Sequence, residues 1–69
     1  MIDISLIKDG PDGVDVDCYY CNAFVGCARL QLDTDPMIID CSPILKEFVA
    51  DEPARLEYLI DRVQVLREQ

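Results

Sequence analysis

Hydrophobic and polar residues alternate at the start of the chain. Ile2, Ile4 and Leu6 fall on one side of residues 2–7, with Asp3 and Ser5 between them. A period of two marks a half-buried strand. The next stretch, Lys8-Asp9-Gly10-Pro11-Asp12-Gly13, reads as a reversal. Pro presets φ for an early turn position, and Gly tolerates the positive φ that turns demand. Alternation resumes over 14–20 with Val14, Val16, Cys18 and Tyr20 inward, so the first two segments form a hairpin. Cys21-Asn22 marks a second turn. A third strand over 24–32 then sets Phe24, Gly26, Ala28, Leu30 and Leu32 against Val25, Cys27, Arg29 and Gln31. Asp33-Thr34-Asp35-Pro36 ends it, since Asp and Pro disfavour a continuing ladder. Met37-Ile38-Ile39 is either a short fourth strand or a buried connector.

The period then changes. Ser42-Pro43 suits a helix start, with Ser as N-cap and Pro at the first helical position. Ile44, Leu45 and Phe48 give a two-turn helix its inward face. Pro53 lacks a backbone donor and crowds the turn before it, so Asp51-Glu52-Pro53 redirects the chain. From about Ala54 to Arg67, the spacing of Leu56, Leu59, Ile60, Val63 and Leu66 defines a second, longer helix. The predicted fold class is α+β: an N-terminal antiparallel hairpin or three-stranded meander, a short helix, and a longer amphipathic C-terminal helix. Residues 1–69 form a single small acidic domain.

The longer helix carries a second apolar line. Tyr58 and Val65 lie seven residues apart and nearly opposite Leu56. The steps from Leu56 through Leu59 and Val63 to Leu66 also fit a coiled-coil seam. Domains of this length usually need a supplement to their core, such as disulfides, a metal or a second subunit. A homodimer through Leu56, Leu59, Val63, Val65 and Leu66 is therefore expected.

Composition narrows the class. With 51% apolar residues the chain is too hydrophobic for a disordered acidic tail. No apolar run reaches the roughly 18 residues of a membrane span. Met1-Ile2-Asp3 lacks the basic start of a signal peptide, so a soluble, cytoplasmic domain is expected. Charge narrows the partners. The net charge is −8, from 14 acidic and 6 basic residues. The acid is densest at the start, where Asp3, Asp9, Asp12, Asp15 and Asp17 face Lys8 alone. Such a surface repels nucleic-acid phosphates and anionic membranes, and attracts a basic protein surface.

Cys18, Cys21, Cys27 and Cys41 form the one pattern with metal-ligand character. A Cys-x-x-Cys turn is a common zinc half-site, and four thiolates would make a closed, structural site. Two features oppose it. The turn carries bulky Tyr19-Tyr20, and the strand phases put Cys18 inward and Cys27 outward. The expectation is free, mostly buried cysteine and no cofactor, with structural zinc on those four residues as the alternative.

Catalytic patterns are lacking. Without histidine there is no Ser-His or Cys-His pair. Gly10 and Gly13 flank a Pro and precede no Lys-Ser/Thr, so they build no phosphate loop. The aspartates of 9–17 lack the spacing and closing Glu of a calcium loop. The order strand, helix, helix from Met37 onward matches a ribbon-helix-helix DNA binder in topology, but its strand is apolar then acidic where that family reads the groove with polar and basic residues. The expected protein is no enzyme and no nucleic-acid or membrane binder. It is a regulator or inhibitor that covers a basic surface of a partner such as a nucleic-acid-binding protein. Asp15 and Asp17 would steer, and Tyr19 and Tyr58 would anchor. In size and acidity it resembles small phage-encoded inhibitors of host proteins, a likeness of type that no motif carries. Two alternatives are a zinc-stabilised binding module and a structural subunit of a larger assembly.

Overall fold

The computed structural model describes residues 1–33 and 35–69. Its elements are β1 (Ile2–Gly10), β2 (Gly13–Tyr20), β3 (Ala23–Gln31), β4 (Met37–Cys41), α1 (Pro43–Asp51) and α2 (Pro53–Glu68). The four strands form one antiparallel sheet in the order β1-β2-β3-β4, and the two helices follow it, so the fold is α+β. Met37-Ile38-Ile39 belongs to a fourth strand rather than a connector. Of the predicted break at 33–36, Thr34 lies outside the described residues. No helix among the described residues is long and apolar enough to cross a membrane.

The strand faces follow the alternation in the sequence. Val14, Val16 and Cys18 of β2 and Ala28 and Leu30 of β3 turn to one side and are buried. Leu45 of α1 and Leu59 and Val63 of α2 cover them, and these eight residues are the core. Ile2, Ile4 and Leu6 extend it from β1. No polar or charged residue among those described is buried. The layer is thus one sheet with helices on one face only.

Each strand pair contains one irregularity. Leu6 pairs Val16 and Lys8 pairs Asp15, so Ile7 is an extra residue in β1. Cys18 pairs Gly26 and Tyr19 pairs Phe24, which makes Val25 the extra residue in β3. Arg29 pairs Asp40 and Leu30 pairs Ile38, leaving Ile39 extra in β4. A bulge shifts the phase of the residues beyond it. Phe24, expected inward, therefore shares the outer face with Tyr19 and is 60% exposed.

The turns explain themselves. Cys21 and Asn22 both adopt positive φ, 51° and 68°. That pair of conformations twists in the sense that a two-residue hairpin needs. The helices meet with Glu52 alone between them, and Pro53 opens α2. Arg55 fastens this corner. Its Nη1 donates to the Phe48 carbonyl at 2.8 Å, and its guanidinium lies 4.0 Å from the centre of the Phe48 ring. Tyr20 packs against the same ring, centroids 5.2 Å apart.

The start of α1 sits directly on β3. Ser42 occupies the N-cap position, but its hydroxyl caps nothing. It accepts a hydrogen bond from the Cys27 N–H at 3.3 Å, while the Ser42 N–H donates to the Cys27 carbonyl at 3.0 Å. This close approach needs Gly26. A Cβ there would fall on the Ser42 Oγ and lie 3.0 Å from the Leu45 Cβ.

Candidate functional site

The face of the sheet away from the helices is uncovered. By strand alternation and pairing it presents Asp3, Ser5 and Lys8 of β1, Asp15, Asp17 and Tyr19 of β2, Phe24, Cys27 and Arg29 of β3, and Asp40 of β4. A hollow of about 550 Å³ lies on it, with Ile7, Asp17, Cys27, Arg29 and Asp40 in its wall. Along residues 1–41, eight aspartates stand against Lys8 and Arg29. Most of the molecule's negative charge is therefore on the sheet half.

Three groups on this face differ in what they are free to do. Asp15 faces Arg29 across the strands and accepts two hydrogen bonds from it, from Nε at 2.7 Å and from Nη2 at 3.2 Å. The hydrogen bond, ahead of the charge itself, holds the Asp15 carboxyl below the usual aspartate range. Asp17, one pleat along, makes no ion pair among the described residues and is half-buried. Tyr19 and Phe24 meet edge to face with ring centres 5.5 Å apart, a geometry that favours an aromatic pair. The face therefore offers a neutralised pair at its centre, a free carboxylate beside it and an aromatic step at one end.

Tyr58 is elsewhere. Its hydroxyl donates to the Ile2 carbonyl at 3.3 Å, which ties α2 to the first strand. Tyr58 and the outer-face aspartates do not share a surface. Arg67 makes a second tie at the other end of α2, 3.2 Å from Asp9. The sequence reading did not single out Arg29, Phe24 or Arg55. Arg29 was legible as the lone cation of an outward strand phase. Phe24 was hidden by the bulge, which has no signature in the residues.

The packing uses two residues of the expected dimer seam within the chain itself. Leu59 and Val63 are 1% and 0% exposed within the single chain, so they have no surface left for a second copy. Leu56 and Leu66 are half-buried, and Val65 alone of the five is exposed. The spacing that suggested a seam is satisfied by the chain's own sheet.

The four cysteines are free and scattered. Cys18 is buried under the helices, Cys27 is exposed on the other face, Cys21 is exposed in a turn and Cys41 is half-buried. Among the described residues no group of three or more Cys, Asp or Glu is arranged to hold a metal. The geometry does not assemble the zinc set. Burial raises the Cys18 thiol pKa, which lowers its thiolate fraction and its reactivity. With iodoacetamide on native protein, Cys21 and Cys27 should be alkylated first, and Cys18 only after denaturant is added. Native-state labelling of Cys18 at the rate of Cys27 would contradict the strand register.

No protein-family model, no curated protein and no solved structure matches the chain.

Proposed function

We propose that this chain is a small non-enzymatic binding protein, a regulator or inhibitor that covers a basic surface of a partner protein. The observation that carries the reading is the helix-free outer face of the sheet, on which carboxylates outnumber cations and exposed Phe24 packs against half-buried Tyr19. Fixed carboxylates on rigid strands raise the rate of encounter with a cationic surface. Asp17 supplies the free charge and Tyr19, backed by Phe24, the apolar anchor. Asp15 acts differently from a free steering charge. It accepts two hydrogen bonds from Arg29, which offsets a guanidinium that would otherwise repel a basic partner. Nucleic-acid-binding proteins carry basic surfaces of this kind, and covering one would block it. Four free thiols suit the reducing conditions of the cytoplasm.

The test uses the immobilised chain and a panel of purified basic nucleic-acid-binding proteins. Retention should be strong at roughly 50 mM salt and fall steeply by roughly 300 mM, as the Debye length shrinks. Asp17→Asn should slow association, and Tyr19→Ala should speed dissociation. Retention that ignores salt, or that survives both substitutions unchanged, would overturn the reading.

A further inference from the structure

The second open surface is the flank of β4. In the sheet order β1-β2-β3-β4 this strand pairs only with β3, so its other edge has no partner among the described residues. Helix α1 packs over β3 and α2 over β1, which leaves the β4 flank outside the helical layer. A groove of about 550 Å³ runs there between the strand and the helices. Its wall is mostly apolar, with Asp40 and Lys46 the charged exceptions: Ile38, Val49, Leu56 and Ile60 are half-buried in it, and Met37 and Ile39 stand at its lip, 49% and 51% exposed. Native sheets blunt such an edge with short strands, bulges, charged side chains or Pro. Met37–Cys41 is short, bulged and carries Asp40, but it has no Lys or Pro to repel a cationic segment or to block its backbone. The bulge at Ile39 shortens the regular ladder, so an added strand would draw on the groove as well as on backbone hydrogen bonds.

We infer that this edge takes one extended segment of a partner protein, in which apolar residues alternate with Lys or Arg. The choice of a basic partner rests on the function proposed above. The pleat dictates the alternation, because successive side chains of an added strand point to opposite faces. Those on the helix side enter the groove against Val49, Leu56 and Ile60. Those on the other side extend the outer face of the sheet next to Asp40, which already stands opposite Arg29. Asp33 and Asp35 precede the strand, and Lys46 is the one cation on the groove wall. Charge also decides between a foreign segment and a second copy. Two chains of net charge −8 repel each other, whereas a cationic segment is attracted.

The test is an amide chemical-shift titration of the isotope-labelled full chain with the probe acetyl-Lys-Val-Lys-Ile-Lys-Val-Lys-amide. A matched peptide with Glu in place of Lys is run beside it. The Lys peptide should move the amides of 37–41 together with those of Val49, Leu56 and Ile60, and the Glu peptide should move none. Ile39→Lys alters an exposed lip residue and should weaken binding about tenfold or more without unfolding the chain. Shifts confined to Asp15, Asp17 and Tyr19 would overturn this inference while leaving the acidic outer face as the binding surface. Equal binding of the Glu peptide would overturn it too. A concentration-dependent dimer in sedimentation that Ile39→Lys abolishes would assign the edge to a second copy and sink the inference. Binding of neither peptide would overturn this inference, while salt-dependent retention of basic proteins that responds to Asp17→Asn and Tyr19→Ala would still support the function proposed above.

Discussion

Gly26→Val should be among the most damaging single changes in the protein. The first added carbon meets the Ser42 Oγ and the Leu45 Cβ at once, and two methyls follow it. The neighbours are poorly placed to yield. Ser42 is tied in both directions to Cys27, and Leu45, the buried residue of α1, is 0% exposed. Overpacking of this kind costs about 3 kcal/mol, at the upper end of the usual range, because α1 must lift from the sheet. A chain of this length has only about 3–10 kcal/mol of stability in total. A drop in melting temperature of roughly 15 °C or more is expected in a thermal melt followed by circular dichroism. Gly26→Ala should lose less, and adding Ser42→Ala should restore part of that loss, since the hydroxyl is the nearest obstacle. A Gly26→Val protein that melts with the wild type would mean that α1 does not rest on β3.

Leu30→Ala should have an effect of similar size by the opposite route. Leu30 is fully buried, in an interior strand, and its Cα partners are Val14 on one side and Ile38 on the other. Truncation removes three carbons and leaves a cavity that strands on both sides prevent from collapsing. Buried Leu→Ala changes cost about 2–5 kcal/mol. The result should be a partly unfolded population at room temperature, seen as collapsed amide dispersion and a urea midpoint near zero. Leu30→Met keeps the volume and should cost less than about 1.5 kcal/mol. If both variants unfold at the wild-type urea concentration, Leu30 is not in the core.

Much of this architecture is readable from the residues, for identifiable reasons. Val14, Val16 and Cys18 alternate with aspartates so cleanly that only one face can be buried. Pro11 and Gly13 mark the first reversal, and Pro53 marks the corner between the helices. The bulges are not readable. Nothing in Phe24-Val25-Gly26-Cys27 announces that Val25 is the extra residue, yet that one insertion moves Phe24 from the core to the outer face and creates its pair with Tyr19. The helix partner is unreadable for a different reason. Leu56, Leu59, Val63 and Leu66 satisfy a heptad seam and a helix lying on a sheet equally well, because both ask only for a stripe. Deciding between them requires knowing that β2 and β3 present a bare apolar face, and that depends on the whole strand order. Asp15 shows the same limit at the site. Its outward phase is plain in the sequence, but its capture by Arg29 depends on which residue of β3 stands opposite.

The ties between α2 and β1 bear on how the molecule is made. Tyr58 reaches Ile2 and Arg67 reaches Asp9, so the last helix holds the first strand at both of its ends. The hairpins can form as soon as their residues leave the ribosome, since each strand pairs with its neighbour in sequence. The apolar side of the sheet, however, stays partly bare until residues 59 and 63 arrive. Burial of that side thereby waits for α2. A product truncated within α2 would keep its strands and lose its cover. It would be a sticky fragment, which gives the cell's proteases a simple way to tell finished copies from unfinished ones.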